Sequence, residues 1–492
     1  MPESTKPKAA KKPTKRALHG GVELELEGAD YFNKRQLEKG VAGWLLLAGL
    51  GVAYVISGDF AGWNFGLAQG GWGGLLIATI IMAVMYLFMV FGLAELSSTI
   101  STTGGGYAFA RRAMGPWGGF LTGTAILIEY AIAPAAIANF IGAYVHSLIG
   151  LDGWYVYLLF YAIFIGLHLY GVGEALKFMF AITAVAVVAL VVFVVAALVK
   201  FDPANLNNIP VDHSAVGAST FLPFGVLGIW AALPYAIWFF LAVEGVPLAA
   251  EESKNPAKDM PRGIIGAMLT LIFFAGTILI VAPGAAGSNI LMASGNPLVE
   301  ALQSPAAYGG QNLVSGFINV VGLLGLIASF FSIIYAYSRQ TFALSRAGYL
   351  PKVLSITGSR KTPTLALIVP GVIGFIMAVL NQGSLLILVA VFGATISYIM
   401  MCASHIVLRI KEPDLERPYR TPGGIVTTGI ALVLAVVALI AGFLVDTRVL
   451  VISAVVFAVA IAYFGLYSRH HIVGTAPEEE FALIKSAESE LH

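Results

Sequence analysis

The stretch Ser57-Gly58-Asp59-Phe60-Ala61-Gly62-Trp63-Asn64 interrupts the first apolar run of the chain. It sets a carboxylate and two glycines where a continuous helix in hydrocarbon wants aliphatic side chains. A second interruption, Trp238-Phe239-Phe240-Leu241-Ala242-Val243-Glu244-Gly245-Val246-Pro247, again puts an acid beside a glycine and close to a proline. The runs that hold them, 40–69 and 222–251, are long enough to cross a hydrocarbon core, which takes about 20 mostly apolar residues. Ten further runs of that kind lie at 72–97, 115–148, 153–171, 174–199, 262–284, 312–341, 363–381, 384–409, 425–444 and 447–468. Lipid offers the backbone no hydrogen-bond partners, so uninterrupted apolar runs of this length predict helices. The expected fold class is therefore an all-α membrane protein with twelve transmembrane helices, the first and sixth of them discontinuous.

Composition agrees. The 492 residues are 58% hydrophobic and 11% charged, with a mean hydropathy of +0.85, against about 25% charged in a soluble domain. A net charge of +1 suggests neither nucleic acid nor any other strongly charged partner. The single cysteine, Cys402, allows no intrachain disulfide or thiolate metal cluster and reads as a small buried hydrophobe. His146, His168, His213 and His405 have no metal-ligand spacing, so neither metal nor cofactor is expected. Gly70-Gly71-Trp72-Gly73-Gly74 and Gly104-Gly105-Gly106 lack the lysine of a phosphate loop and read as turns.

Residues 1–39 are polar, with the basic run Lys6, Lys8, Lys11, Lys12, Lys15 and Arg16, and read as a disordered tail able to touch anionic headgroups. No cleavable leader pattern is visible, so the first span is expected to act as the targeting signal. Arg111, Arg112, Lys254, Lys258, Arg262, Arg339, Arg346, Lys352, Arg360, Lys361, Arg409, Lys411, Arg417, Arg420 and Arg469 fall in alternate connections, and Lys200 and Arg448 on the other side. By the positive-inside rule both termini are cytoplasmic. The outer connections 200–221 and 285–311 read either as caps over a vestibule or as plain linkers.

Paired broken helices in corresponding halves point to the midplane site of a transporter, where half-helix ends and freed backbone groups bind polar parts of a substrate. An ionised residue at mid-bilayer costs about 2.5–3.5 kcal/mol on insertion scales, so it is tied either to function or to a partner. Asp59, Glu129 and Glu244 qualify. Asp59 reads as functional. Glu129 also fits a bond to a neighbouring helix, and Glu244 also fits an acid that keeps a break in shape. Lys177, near the start of the fifth span, reads as a side chain reaching for the interface.

Gly92-Leu93-Ala94-Glu95-Leu96-Ser97-Ser98, Thr103-Gly104-Gly105-Gly106-Tyr107 and Gly115-Pro116-Trp117-Gly118-Gly119-Phe120 resemble the amino acid, polyamine and organocation permeases. So do Glu251-Glu252-Ser253-Lys254-Asn255-Pro256, Gly348-Tyr349-Leu350-Pro351-Lys352, and the run from Lys411-Glu412-Pro413 to Pro422-Gly423-Gly424. The resemblance covers about residues 40–468. It implies two inverted five-helix repeats, at 40–199 and 222–411, joined by the outer loop 200–221. Two extra helices at 412–468 and a cytoplasmic tail at 469–492 follow. The implied site lies between the broken helices.

Many amino acid permeases of this family have a glycine- and serine-rich break in helix one whose N–H groups hold the substrate carboxylate. Here Asp59 stands instead, which repels an acid and attracts an ammonium. Val55-Ile56-Ser57-Gly58-Asp59-Phe60, Gly62-Trp63-Asn64-Phe65-Gly66-Leu67 and Ala108-Phe109-Ala110-Arg111-Arg112-Ala113 resemble the ethanolamine permease branch. The resemblance implies a substrate site of Ser57, Gly58, Asp59, Gly62, Glu129, Tyr130, Tyr235, Trp238, Val243 and Glu244. Within it Trp238 closes over the substrate. Proton-coupled relatives carry a lysine deep in helix five where this chain has Ala186. Glu129 or Glu244 then becomes the candidate proton carrier, because carboxylates sharing a poorly hydrated site cannot readily both ionise. The expectation is a secondary transporter, not an enzyme, importing an amine cation such as ethanolamine with H+ by alternating access. An amino acid permease or exchanger is the alternative, and a flux-free receptor or a channel is the competitor from another class.

Overall fold

The computed structural model describes residues 14–18, 21–37, 40–170, 172–380 and 383–479. Among them, nine helices are long and apolar enough to cross a membrane: α2 (Phe65–Thr99), α3 (Gly106–Ile149), α5 (Val172–Val199), α6 (Gly225–Glu252), α7 (Pro256–Ala286), α8 (Leu313–Arg346), α10 (Gly383–Lys411), α11 (Ile425–Val445) and α12 (Thr447–Leu466). Three shorter apolar helices, α1 (Trp44–Phe60), α4 (Trp154–Tyr170) and α9 (Thr364–Leu380), stand where the first, fourth and ninth spans are expected. Each predicted span thus has its helix.

Burial separates the helices by role. Most of α3, α8 and α10 is buried, including Ala133, Ala136, Ile137, Phe330, Ile334, Ala390 and Ala394. By contrast α5, α11 and α12 expose Val188, Val195, Val433, Val455 and Val459, apolar side chains suited to a hydrocarbon surround. Small residues let the inner helices meet closely. A Cβ at Gly393 of α10 would lie 2.8 Å from the Ala125 carbonyl of α3.

Three boundaries differ from the sequence reading. The first span ends at Phe60, and the residues expected to finish it start α2, which kinks at Gly71 (φ +65) where a Cβ would strike Pro223 at 2.2 Å. α3 begins at Gly106 rather than near residue 115, because Gly115 (φ +79) bends the backbone without ending the helix. The third difference concerns the ends of the chain. Instead of a disordered tail, β1 (Thr14–Leu18) and β2 (Val22–Leu26) form an antiparallel hairpin, and β2 pairs in parallel with β3 (Ile472–Val473). Val22 and Leu24 are buried there, so the alternating Val-Glu-Leu-Glu-Leu pattern has an apolar face to cover. The basic run at Lys6–Lys12 lies outside the described residues. The hairpin at 14–26 and the segment Ile472–Val473 therefore meet at one end of the bundle.

Candidate functional site

In α1 the helix Trp44–Val55 gives one more short turn, Ser57–Phe60, before the backbone extends at Ala61 (φ −162, ψ 160) and turns at Gly62 (φ +98). In α6 the helix stops at Trp238, and a 3-10 segment runs from Val243 to Glu252 after Ala242 takes the left-handed conformation (φ +80). A non-glycine residue there stores strain of order 1–3 kcal/mol, held by its surroundings. The two breaks touch. A Cβ at Gly58 would lie 2.5 Å from the Trp238 carbonyl, and one at Gly62 would lie 2.5 Å from Trp238 Nε1. Glycine at both positions is what lets the breaks approach.

The carbonyls freed by unwinding α1 are bonded by side chains from other helices. Trp238 Nε1 donates to Ala61 O at 3.0 Å, Tyr144 Oη to Phe60 O at 3.1 Å, and Ser329 Oγ to Tyr54 O at 2.7 Å. Ser57 Oγ and Ser329 Oγ lie 2.8 Å apart. Asn64 accepts from Gly62 N at 3.1 Å and donates to Leu291 O and Ser294 O at 2.6 and 2.9 Å. Those acceptors belong to the connection after α7, so part of 285–311 packs on the break rather than forming a plain linker.

Asp59 sits inside this arrangement, 1% exposed, and neither carboxylate oxygen has a hydrogen-bond partner among the described residues. Leaving an ionised carboxylate buried and unpaired costs several kcal/mol, a cost that either a proton or a cation at this position relieves.

Glu129 and Glu244 form a second group. Their carboxyls lie close enough to act on one another. Tyr130 Oη donates to Glu244 Oε1 at 3.0 Å, Tyr398 Oη to Glu129 Oε1 at 3.4 Å, and Tyr86 Oη to Tyr398 Oη at 2.8 Å. All five are buried. A Cβ on Gly245 would lie 3.0 Å from Tyr130 Oη, so the glycine after Glu244 admits the tyrosine.

The structure thus brings Ser57, Gly58, Asp59, Gly62 and Trp238 together at the breaks, and Glu129, Tyr130 and Glu244 together beside them. Val243 is fully buried at the start of the 3-10 segment. Tyr235 stands apart, lining a cavity of about 370 Å³ with Gln69, Ser384, Asp446 and Arg448. Arg448 pairs with Asp446 at 2.6 Å at the mouth of that cavity. Sequence reasoning missed Tyr86, Tyr144, Ser329 and Tyr398. Each is an isolated hydroxyl in an apolar run, which resembles ordinary packing until the helices are assembled. Asn64 could have been found, since it ends the quoted break. Among the described residues no group of His, Cys, Asp and Glu is arranged to hold a metal ion.

The profile of the amino acid permease family matches residues 45–473. A branched-chain amino acid permease of Bacillus subtilis is 27% identical over 452 residues, covering 87% of this chain and 92% of the relative. A methylthioribose transporter of the same organism is 28% identical over 411 residues, covering 77% and 82%. A probable GABA permease of Pseudomonas aeruginosa is 27% identical over 351 residues, covering 68% and 70%. These relatives carry solutes rather than transform them, in keeping with the helical bundle and its paired breaks. The chain is a multi-pass membrane transporter of the amino acid permease family.

Proposed function

We propose that this transporter imports a small organic amine cation, with ethanolamine as the first candidate, in symport with H+ and by alternating access. The observation that carries the reading is Asp59, a buried carboxylate without a partner at the α1 break. An ammonium supplies both the charge and the hydrogen-bond donors that its oxygens lack. Trp238, whose indole bonds the same break, lies beside the site, and an aromatic face adds cation–π attraction. Glu129 and Glu244 are the proposed proton carriers, because a carboxyl pair sharing one proton with tyrosine donors around it can release that proton when the pair separates. Import is the direction in which an inward proton gradient drives such a symporter, and cytoplasmic termini belong to the same reading, from the basic residues of alternate connections.

An amino acid is the second reading, favoured by the names of the branched-chain amino acid and GABA relatives. There Asp59 would hold the amino end. Labelled ethanolamine uptake separates the two: excess branched-chain amino acid leaves it unchanged on the first reading and abolishes it on the second. Counterflow in proteoliposomes, which requires a carrier, excludes a channel or a flux-free receptor.

A further inference from the structure

The mechanism proposed above makes no use of a dense ion-pair cluster at the end of the bundle where the termini meet. Arg346, in the last turn of α8, is 3% exposed and bridges two acids from distant parts of the chain. Its Nη2 donates to Glu251 Oε1 at 2.6 Å, and its Nε donates to Glu478 Oε1 at 3.0 Å. Glu251 ends the 3-10 segment of the broken α6 and also accepts from the Thr103 amide at 3.0 Å. The next tail residue, Glu479, is fully buried between Arg111 Nε of α3 at 2.6 Å and Tyr349 Oη at 3.1 Å.

The backbone fixes the same segment. Val473 N donates to Ala347 O at 2.9 Å, and a Cβ at Gly348 (φ +85) would lie 2.1 Å from His471 O. The tail is held from its other side by the β2–β3 pairing. That hairpin is itself tied to the turn after α8, where Lys352 Nζ contacts Glu25 and lies 2.8 Å from Glu27 Oε1.

Two turns nearer the membrane centre, Arg339 Nη2 donates to Glu252 Oε1 at 2.7 Å, a second fully buried bridge from α6 to α8. An opening on this side has to part α6 from α8, and the tail adds a third point of attachment to the outer of the two bridges. We propose that residues 472–479, docked through Glu478 and Glu479, form a latch that holds the transporter closed on the side of its termini and must release for that side to open.

The cluster sets two guanidiniums, Arg111 and Arg346, against three carboxylates, Glu251, Glu478 and Glu479. That excess makes docking sensitive to pH. Burial pushes the Glu479 carboxyl up to about 7, against the downward pull of Arg111 and Tyr349, with Glu478 adding to the rise. Burial also raises Glu478, with Arg346 opposing and Glu251 reinforcing. A carboxyl that holds its proton more tightly docked than undocked favours docking at low pH. The latch is therefore firmest below the ordinary glutamate value of 4.5 and loosens as pH rises through about 7.

The test is independent of which solute is carried. A cysteine is placed at Thr341, buried on α8 two residues beyond Arg339, in the full-length protein with Cys402→Ala, and its alkylation rate by N-ethylmaleimide is measured in proteoliposomes at pH 5.5 and 7.5, each rate divided by that of the denatured protein at the same pH to remove the thiol's own titration. With the latch intact, labelling is faster at pH 7.5. In the Glu478→Ala/Glu479→Ala background it rises about tenfold and loses its pH dependence, the size expected when charge-assisted contacts to arginine are removed. If that pair of changes prevents folding, Glu478→Gln/Glu479→Gln, which mimics the protonated carboxyls, is run through the same measurement and is expected to label at the slow pH 5.5 rate of the parent at both pH values. Labelling that is unchanged in a folded Ala variant, as fast at pH 7.5 as the parent's in a folded Gln variant, or equally fast at both pH values in the parent, overturns the proposal.

Discussion

Trp238 Nε1 of α6 donates to the carbonyl of Ala61 at 3.0 Å, so the side chain at one helix break satisfies the backbone opened by the other. Unwinding in lipid is tolerated only where the freed groups find partners inside the protein. This bond couples the two breaks, and movement of either is felt by its counterpart.

Replacing Trp238 by Phe keeps an aromatic ring but leaves the Ala61 carbonyl without its donor. A buried acceptor deprived of a partner costs about 1–3 kcal/mol. The expected result is a lower melting temperature without ligand together with weaker substrate binding, read by thermal denaturation of purified protein with and without ethanolamine.

The Glu129–Glu244 pair separates coupling from transport. Glu129→Gln keeps the shape and the Tyr398 contact but can neither take up nor release a proton. Uptake driven by an imposed pH gradient should fall to background in proteoliposomes, while substrate counterflow persists. Gradient-driven uptake at the parent rate would rule out Glu129 as the carrier.

Glu95 serves stability rather than transport. Fully buried at the end of α2, it accepts from Arg409 Nε at 2.8 Å and from Thr421 N at 2.7 Å, and it pairs with Arg417 Nε at 2.9 Å. Arg417 and Thr421 lie in the connection from α10 to α11, so one carboxylate anchors that connection to the bundle. Glu95→Ala leaves the partly buried Arg409 and Arg417 guanidiniums and the Thr421 amide without their acceptor and should cost about 1–3 kcal/mol. The measurable outcome is a large drop in melting temperature with no change in substrate selectivity.

Orientation is open to a direct check. A tag at either terminus should resist an impermeant reagent in intact cells and react after permeabilisation, as the placement of basic residues requires. Labelling in intact cells would reverse the topology.

The spans were legible because apolar length is a property of the sequence, and the two breaks because Asp59 and Glu244 are costly in hydrocarbon. The hydroxyl partners of those breaks were not. Tyr144 and Ser329 reach α1 only after α3 and α8 pack against it, and nothing local distinguishes them from the 19 tyrosines and other polar residues of the chain. The ends of the chain were misread for a related reason. A short alternating strand such as Val22–Leu26 is too weak to stand alone, and its partner, Ile472–Val473, lies more than four hundred residues away. Glu129 and Glu244 were found as separate buried acids, but their contact depends on α3 and α6 meeting in space.

The proposed partner of the substrate ammonium is Asp59. Asp59→Asn keeps the volume and removes the charge, and asparagine is the cheaper residue to bury at this depth, so the variant should fold and insert normally. Losing one partner of a buried ion pair typically costs about 2–5 kcal/mol, or roughly 30-fold to several thousand-fold in affinity. Ethanolamine binding to purified Asp59→Asn protein, read as the ligand-induced rise in melting temperature, is the most direct measurement. The expected result is that this rise is lost while the melting temperature without ligand stays at the parent value. An undiminished rise in a variant of unchanged stability would contradict it and move the amino acid reading to first place.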